Sequence, residues 1–256
     1  MEECKEYKVQ SKNMKILVCR DYDAMSRKAG ELVGAVLAAN PQAVMGLATG
    51  SSPVGLYREL IRMNREGKLD FSKIRSYNLD EYYPIQPDNP QSYHYFMAQN
   101  LFDHINIPKE NVHVPDGRGG SVEEACRQYE AELDAIGGVD IQVLGIGHNG
   151  HIGFNEPADI FPSATHVVDL QESTIRANSR FFEKEEDVPR QAVSMGIGSI
   201  MKAKKIVLVA NGKEKAEIIR AALTGPITPR VPASILQVHP DVTFVLEQEA
   251  ASLLSL

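Results

Sequence analysis

The residues best suited to chemistry lie in LGIGHNGHIGFNEP, at positions 144–157. This stretch holds four glycines, two histidines, two asparagines and one glutamate behind a short apolar run. Glycines let a backbone turn tightly and approach a ligand closely. His151 and Glu156 can move protons near neutral pH, and a carboxylate beside a histidine favours its charged form and sets its tautomer. Gly147 and Asn149 belong to the same turn and are counted with the candidate site, Gly147 as a ligand contact. The mixture points to an enzyme acting on a small polar molecule.

Two more familiar readings of this stretch fail on context. GIGHNG at 145–150 matches GxGxxG after a strand, but a dinucleotide fingerprint opens a long helix. Here Gly153 and Pro157 follow and oppose one. His148 and His151 are three apart, but no HExxH helix is present, and a glycine-rich turn does not hold two rings on one face. No metal is expected.

A second set of candidates surrounds an anion. MGLATGSSPVGLYREL, at 45–60, runs from an apolar strand through TGSS into a helix. Pro53 suits a first helical turn. Amides of Gly50, Ser51 and Ser52, hydroxyls of Thr49, Ser51 and Ser52, and the helix dipole together suit a phosphate. The Walker pattern is absent. A second strand–turn–helix, VLVANGKEKAEIIRAAL at 207–223, places Lys213 and Lys215 in a first turn. Cations there oppose the helix dipole and make sense if an anion is shared. Arg180, in NSRFF, is a third candidate cation.

A carboxylate pair forms the third set. Asp80 and Glu81, in SYNLDEYY, fall where a strand over 74–79 runs out. Adjacent residues of an extended chain point to opposite sides, so one acid faces a ligand while the other turns away. Either suits general base work, and both are retained as candidates, Asp80 catalytic and Glu81 substrate-binding. The proline-rich loop 84–90 could form part of a lid.

The elements that must position these groups alternate. Strands are expected over 15–19, 43–48, 74–79, 111–114, 141–145, 166–169, 192–195, 205–210 and 242–246. Helices are expected over 22–40, 53–66, 92–101, 121–136 and 213–223. This order implies an α/β fold, a single doubly wound, mostly parallel sheet with helices on both faces, Rossmann-like. In such sheets ligands bind beyond the carboxyl ends of the strands, where all three sets fall. Residues 1–13 read as a loosely ordered polar extension and 14–256 as one domain.

Composition narrows the function classes. Of 256 residues 43% are hydrophobic and the net charge is −7, with no basic stripe, so no nucleic-acid partner is expected. No apolar run approaches the ~18 residues of a membrane span, and the first residues are too polar for a signal peptide. The three cysteines, Cys4, Cys19 and Cys126, suggest neither a disulfide framework nor a zinc site. A reducing cytoplasm is the expectation.

With these motifs in place, the chain resembles the glucosamine-6-phosphate deaminase family from about Lys15 to near its end. The resemblance is carried by LATGSSP, NLDEYY, GIGHNGHIGFNEP, ANSRFF and KEKAEIIRAALTG. The related 6-phosphogluconolactonases share the glycine turns, but GHIGFNEP and SRFF point to the deaminase branch. The resemblance implies conversion of an amino-sugar 6-phosphate and water to fructose 6-phosphate and ammonia, with no metal and no organic cofactor. It implies Asp80 as the base at C1 and C2, His151 as the ring-opening group with Glu156 as its acidic partner, and the TGSS loop, Arg180 and Lys215 as phosphate ligands. A deaminase for the galacto epimer, a lactonase and a non-catalytic sugar-phosphate sensor are the alternatives.

Two departures stand out. The best-known allosteric members have an aspartate where this chain has Asn149. Regulated hexameric members carry basic residues after NEP that bind an acetylated sugar-phosphate activator, and this chain reads SATHVVDL at 163–170, with only His166. The resemblance therefore implies an unregulated enzyme, a monomer or small homo-oligomer.

Overall fold

The computed structural model describes residues 3–8, 14–179, 182, 184 and 187–255. The chain runs β1 (Cys4–Lys8), β2 (Met14–Cys19), α1 (Tyr22–Ala39), β3 (Val44–Leu47), α2 (Val54–Arg65), β4 (Arg75–Asn78), β5 (Asp80–Tyr83), α3 (Tyr93–Asn100), β6 (Val112–His113) and α4 (Val122–Ile136). It continues through β7 (Ile141–Leu144), β8 (His166–Asp169), α5 (Glu172–Ser179), β9 (Gln191–Ser194), α6 (Ile197–Met201), β10 (Ile206–Ala210), α7 (Ala216–Thr224) and β11 (Val242–Glu247).

Eight strands form the main sheet in the order β1-β2-β11-β10-β7-β3-β4-β6, parallel except for β1. The central strands are apolar on both faces, as a sheet covered on both sides requires. In β10, Val207 and Val209 pack with α1 and α2, while Ile206 and Leu208 pack with α4 and α7. Helices begin and end where local chemistry allows. Asp21 accepts the Ala24 N–H at 2.8 Å to start α1, Ser121 caps α4, and Gly137 closes α4 in the left-handed region.

The chain progresses outward from β3 to β4 and β6, then returns to β7 and runs the other way to β10 and β11. The direction therefore reverses between β3 and β7. Crevices at such switch points, beyond the strands' carboxyl ends, are where open α/β sheets bind ligands.

Two expectations change. Residues 1–13 read as a loose extension, yet Cys4–Lys8 is an edge strand in five-residue register with β2. Cys4 and Cys19 are opposite one another and form a disulfide, which scattered cysteines in the sequence did not suggest. The strand is mostly exposed and polar, so no apolar alternation announces it.

The second change concerns β8 and β9. They do not join the parallel sheet but form a separate antiparallel sheet, in the order β5-β9-β8. Leu79 is the pivot between the two sheets. Its N–H donates to the Leu47 carbonyl in the main sheet at 3.0 Å, and its carbonyl accepts the Met195 N–H at 2.7 Å. The chain leaves one sheet at Asn78 and enters the other at Asp80, which fixes Asp80 at the seam.

Candidate active site

A cavity of about 700 Å³ opens at the switch point. Its walls are the loops after β3, β4, β7 and β10, the start of α3, and Phe182.

The loop after β3 supplies Thr49, Gly50, Ser51 and Ser52, all of which line the cavity. Gly50 sits at φ +102°, a conformation that side-chain-bearing residues rarely adopt. Pro53 precedes α2, and no side chain caps that helix. The Tyr22 hydroxyl braces the turn, donating to the Ser51 carbonyl at 2.9 Å and accepting the Gly55 N–H at 2.8 Å. Ser52 Oγ donates to Asn211 Oδ1 at 2.7 Å, joining this loop to the one after β10. Lys215 enters from that second loop and donates from Nζ to the Ile146 carbonyl at 2.8 Å. An uncapped helix start, hydroxyls and an ammonium on one wall suit a phosphate.

Asp80 forms the opposite wall. It is 5% exposed, and burial, reinforced by the neighbouring Glu81 charge, pushes its carboxyl up to about 8. Tyr57 from α2, Tyr93 from α3 and Tyr129 from α4 are close enough to feel its charge. Burial holds each of those phenols in its neutral form. The Tyr93 hydroxyl also bonds to the Thr49 and Tyr82 side chains, tying the Asp80 wall to the loop after β3.

The glycine turn supplies the third group. Gly147 N–H donates to the His151 carbonyl at 2.9 Å, and Gly150 N–H donates to the Gly147 carbonyl at 3.0 Å. The His151 ring lies over Gly147, where a Cβ would come within 2.4 Å of its Cε1 and Nε2. Asn149 Oδ1 accepts the His151 N–H at 3.2 Å, and its amide donates to the Glu156 carboxylate. His151 Nδ1 is 3.5 Å from Glu156 Oε2, near enough for charge attraction but not aligned as a hydrogen bond. Gly153, at φ +58°, brings this turn against Asp80; a Cβ there would lie 3.5 Å from Asp80 Oδ2.

Asp80, His151, Asn149, Gly147, Thr49, Gly50, Ser51, Ser52 and Lys215 thus meet around one cavity. Glu156 stands behind His151. Arg180 lies outside the described residues. Glu81 is corrected, because its side chain is spent elsewhere. Oε1 accepts the Tyr82 and Tyr93 N–H groups at 2.9 and 2.8 Å, and Oε2 accepts the His94 N–H at 3.0 Å and meets His94 Nδ1 at 2.9 Å. A carboxylate that receives four donors has no lone pair left for a ligand. Sequence reasoning missed Tyr93, Tyr22 and Asn211. Only Tyr93 left a trace, a Ser-Tyr start to a helix beyond the proline-rich loop. Among the described residues no group of three His, Cys, Asp or Glu side chains is arranged to hold a metal, and no helix is long and apolar enough to cross a membrane.

The fold and cavity define an α/β enzyme whose buried acid and histidine–carboxylate pair face an anion cradle across the switch point. The profile of the glucosamine-6-phosphate isomerases/6-phosphogluconolactonase family matches residues 21–245, and the chain belongs to that family. Glucosamine-6-phosphate deaminase of Thermoanaerobacter pseudethanolicus is 55% identical over 241 residues, covering 94% of this chain and 95% of its own. That of Clostridioides difficile is 54% identical over 242 residues, covering 94% and 97%. A monomeric glucosamine-6-phosphate deaminase of known structure superposes with a TM-score of 0.91 at 44% identity, covering 93% of this chain and 99% of its own.

Proposed function

We propose that this chain is a glucosamine-6-phosphate deaminase, converting glucosamine 6-phosphate and water to fructose 6-phosphate and ammonia. The observation that carries the reading is the meeting of Asp80, His151 and the 49–52 cradle around one cavity. The relatives above, which cover nearly the whole chain, support it.

In this reading the phosphate sits against Thr49, Gly50, Ser51, Ser52 and Lys215, with Arg180 as a further cation. Binding there spends affinity far from the reacting carbons and orients the sugar. His151 takes the O1 proton and returns it to the ring oxygen, opening the pyranose; Glu156 stabilises the charge that the ring gains. Asp80 then takes the C2 proton and delivers it to C1 through a cis-enolamine, leaving an imine at C2. Water adds to that imine, the C–N bond breaks, and ammonia leaves with fructose 6-phosphate. Each positioned acid or base contributes about 10²–10⁴-fold. Asn149 holds the His151 backbone and Glu156 in one arrangement, and Gly147 leaves room for the ring and the sugar.

The family match over 21–245 supports treating 14–256 as one catalytic domain. The similarity to a monomeric deaminase supports a monomer or small homo-oligomer. A charged sugar phosphate as substrate supports a cytoplasmic site of action.

The test is ammonia release from glucosamine 6-phosphate, galactosamine 6-phosphate and, as acid release, 6-phosphogluconolactone. Turnover of the first, well above the other two, is expected. Preference for the galacto epimer or the lactone overturns the reading. Light scattering and a substrate titration with N-acetylglucosamine 6-phosphate complete it; a sigmoidal curve relieved by that compound contradicts an unregulated enzyme.

A further inference from the structure

We propose that His94 is a positioning residue for Asp80: through Glu81 it locks the strand that carries the base to the first turn of α3 and offsets the charge that Glu81 places beside it. This rests on the proposed role of Asp80 and extends it to a residue outside the cavity wall.

Glu81 is wholly buried, and its four contacts come from two elements. The Tyr82 N–H belongs to its own strand, while the Tyr93 and His94 N–H groups are the first two amides of α3. The third amide, of Tyr95, is taken by Ser92 Oγ at 3.0 Å. The buried carboxylate therefore completes the capping of α3, where helix amides and dipole both favour a negative charge. The same turn carries Tyr93, whose hydroxyl reaches Thr49 in the cradle. One carboxylate thus couples the base strand, the helix that walls the cavity and the phosphate loop.

His94 is the only side chain among those four contacts. The groups facing it are Glu81 and, from the loop before α4, Asp116, which is itself paired with Arg118 at 2.8 Å. Asp80 interacts through its charge with Glu81 and the neutral phenols of Tyr57, Tyr93 and Tyr129, and shares its cavity with His151 and Lys215. Glu81 is the anion of that set, so whatever offsets its charge makes Asp80 easier to ionise. An N–H donor on the far side of Glu81 does this. Gly117 closes the pair from above: a Cβ there would lie 2.9 Å from Glu81 Cγ, so the loop packs directly on the carboxylate stem and shuts water out.

The experiment titrates the Asp80 side-chain carboxyl by ¹³C NMR in the parent, His94→Phe, His94→Asn and Glu81→Gln, alongside the pH profile of kcat/KM. Asn places its side-chain N–H where the histidine Nδ1 stands, and so restores the donor. The Asp80 midpoint is expected about half a unit higher in His94→Phe, near the parent in His94→Asn and about one unit lower in Glu81→Gln. The acid limb of kcat/KM follows in the same directions, while KM at its optimum stays within about twofold. Equal midpoints in the parent and His94→Phe, or equal midpoints in the Phe and Asn variants, overturn the proposal. If His94→Phe does not fold, His94→Ala removes the donor without adding volume. The titration needs no substrate, so it tests the role of His94 even if the ammonia assay refutes the proposed reaction.

Discussion

Burying the acid proposed as the base should weaken the fold that holds it. The Asp80 carboxyl ordinarily titrates near 3.8 and is pushed up to about 8 in the folded chain. Between those values the folded state keeps a proton that the unfolded state has lost. Stability must then fall as pH rises through that window, by about 1.4 kcal/mol per unit. Below the window both states are protonated and Asp80 contributes nothing; above it both are ionised and the penalty is constant. Asp80→Asn keeps the shape and removes the charge, so it should not share this fall. Integrated from pH 5 to pH 8, the stability advantage of the variant over the parent grows by about 3.5 kcal/mol at most, and by about 2 kcal/mol if water and side chains relax around the charge. Urea unfolding of both proteins at the two pH values measures it, since every other titrating group cancels in the difference. The same variant should lose ammonia release almost entirely, and the parent's kcat/KM should climb toward pH 8 as the base ionises. If the parent and Asp80→Asn lose stability in parallel, Asp80 is not buried as a strained acid and the reasoning fails.

Three further outcomes are expected. Gly147→Ala should fold normally but displace the His151 ring, because the new Cβ would meet it at 2.4 Å; kcat falls about 10²-fold or more with KM little changed, and wild-type kcat refutes the placement. Asn149→Asp replaces the donor to Glu156 with a second carboxylate; some activity remains, but the kcat/KM profile moves toward alkaline pH, since two carboxylates beside His151 favour its protonated form. An unmoved profile counts against coupling between these positions. Reducing the Cys4–Cys19 link, which spans a separation of 15 residues, should lower stability by up to about 3 kcal/mol and leave kcat/KM unchanged, because β1 lies on the sheet edge remote from β3 and β7. Loss of activity on reduction would show that the strand reaches the site.

What could be read from the sequence follows from which forces act locally. IVLVA at 206–210 reads as a strand because burial on both faces leaves only apolar residues there, and IQVL at 141–144 does so with one buried polar residue, Gln142. The three loops of the site were legible because anion binding and proton transfer demand particular residue types at strand ends. DEYY at 80–83 was not legible as a strand. Its two acids and two tyrosines carry no alternation, and it becomes a strand only because β9 pairs with it. The CKEYK edge was hidden for a similar reason, since its five residues answer to β2 and not to a core. Alternation correctly requires Asp80 and Glu81 to face opposite ways. It does not say which one faces the ligand. That is decided by α3, whose first amides and His94 take Glu81, and α3 begins twelve residues later.

Asn149 shows how a departure from a relative's pattern can be a local solution. Its oxygen must accept the His151 N–H, and its nitrogen faces the Glu156 carboxylate. Only an amide does both, for an aspartate can accept but has no proton to give unless it is neutral. With the amide in place, His151 meets the Glu156 carboxylate, which also receives the Asn149 amide. In the proposed reaction the ring gains charge when it takes the O1 proton, and Glu156 at 3.5 Å is close enough to stabilise that charge. In the proposed reaction the charge beside His151 and the costly charge on Asp80 are complementary: the histidine takes up the O1 proton, and Asp80, once ionised, takes the C2 proton.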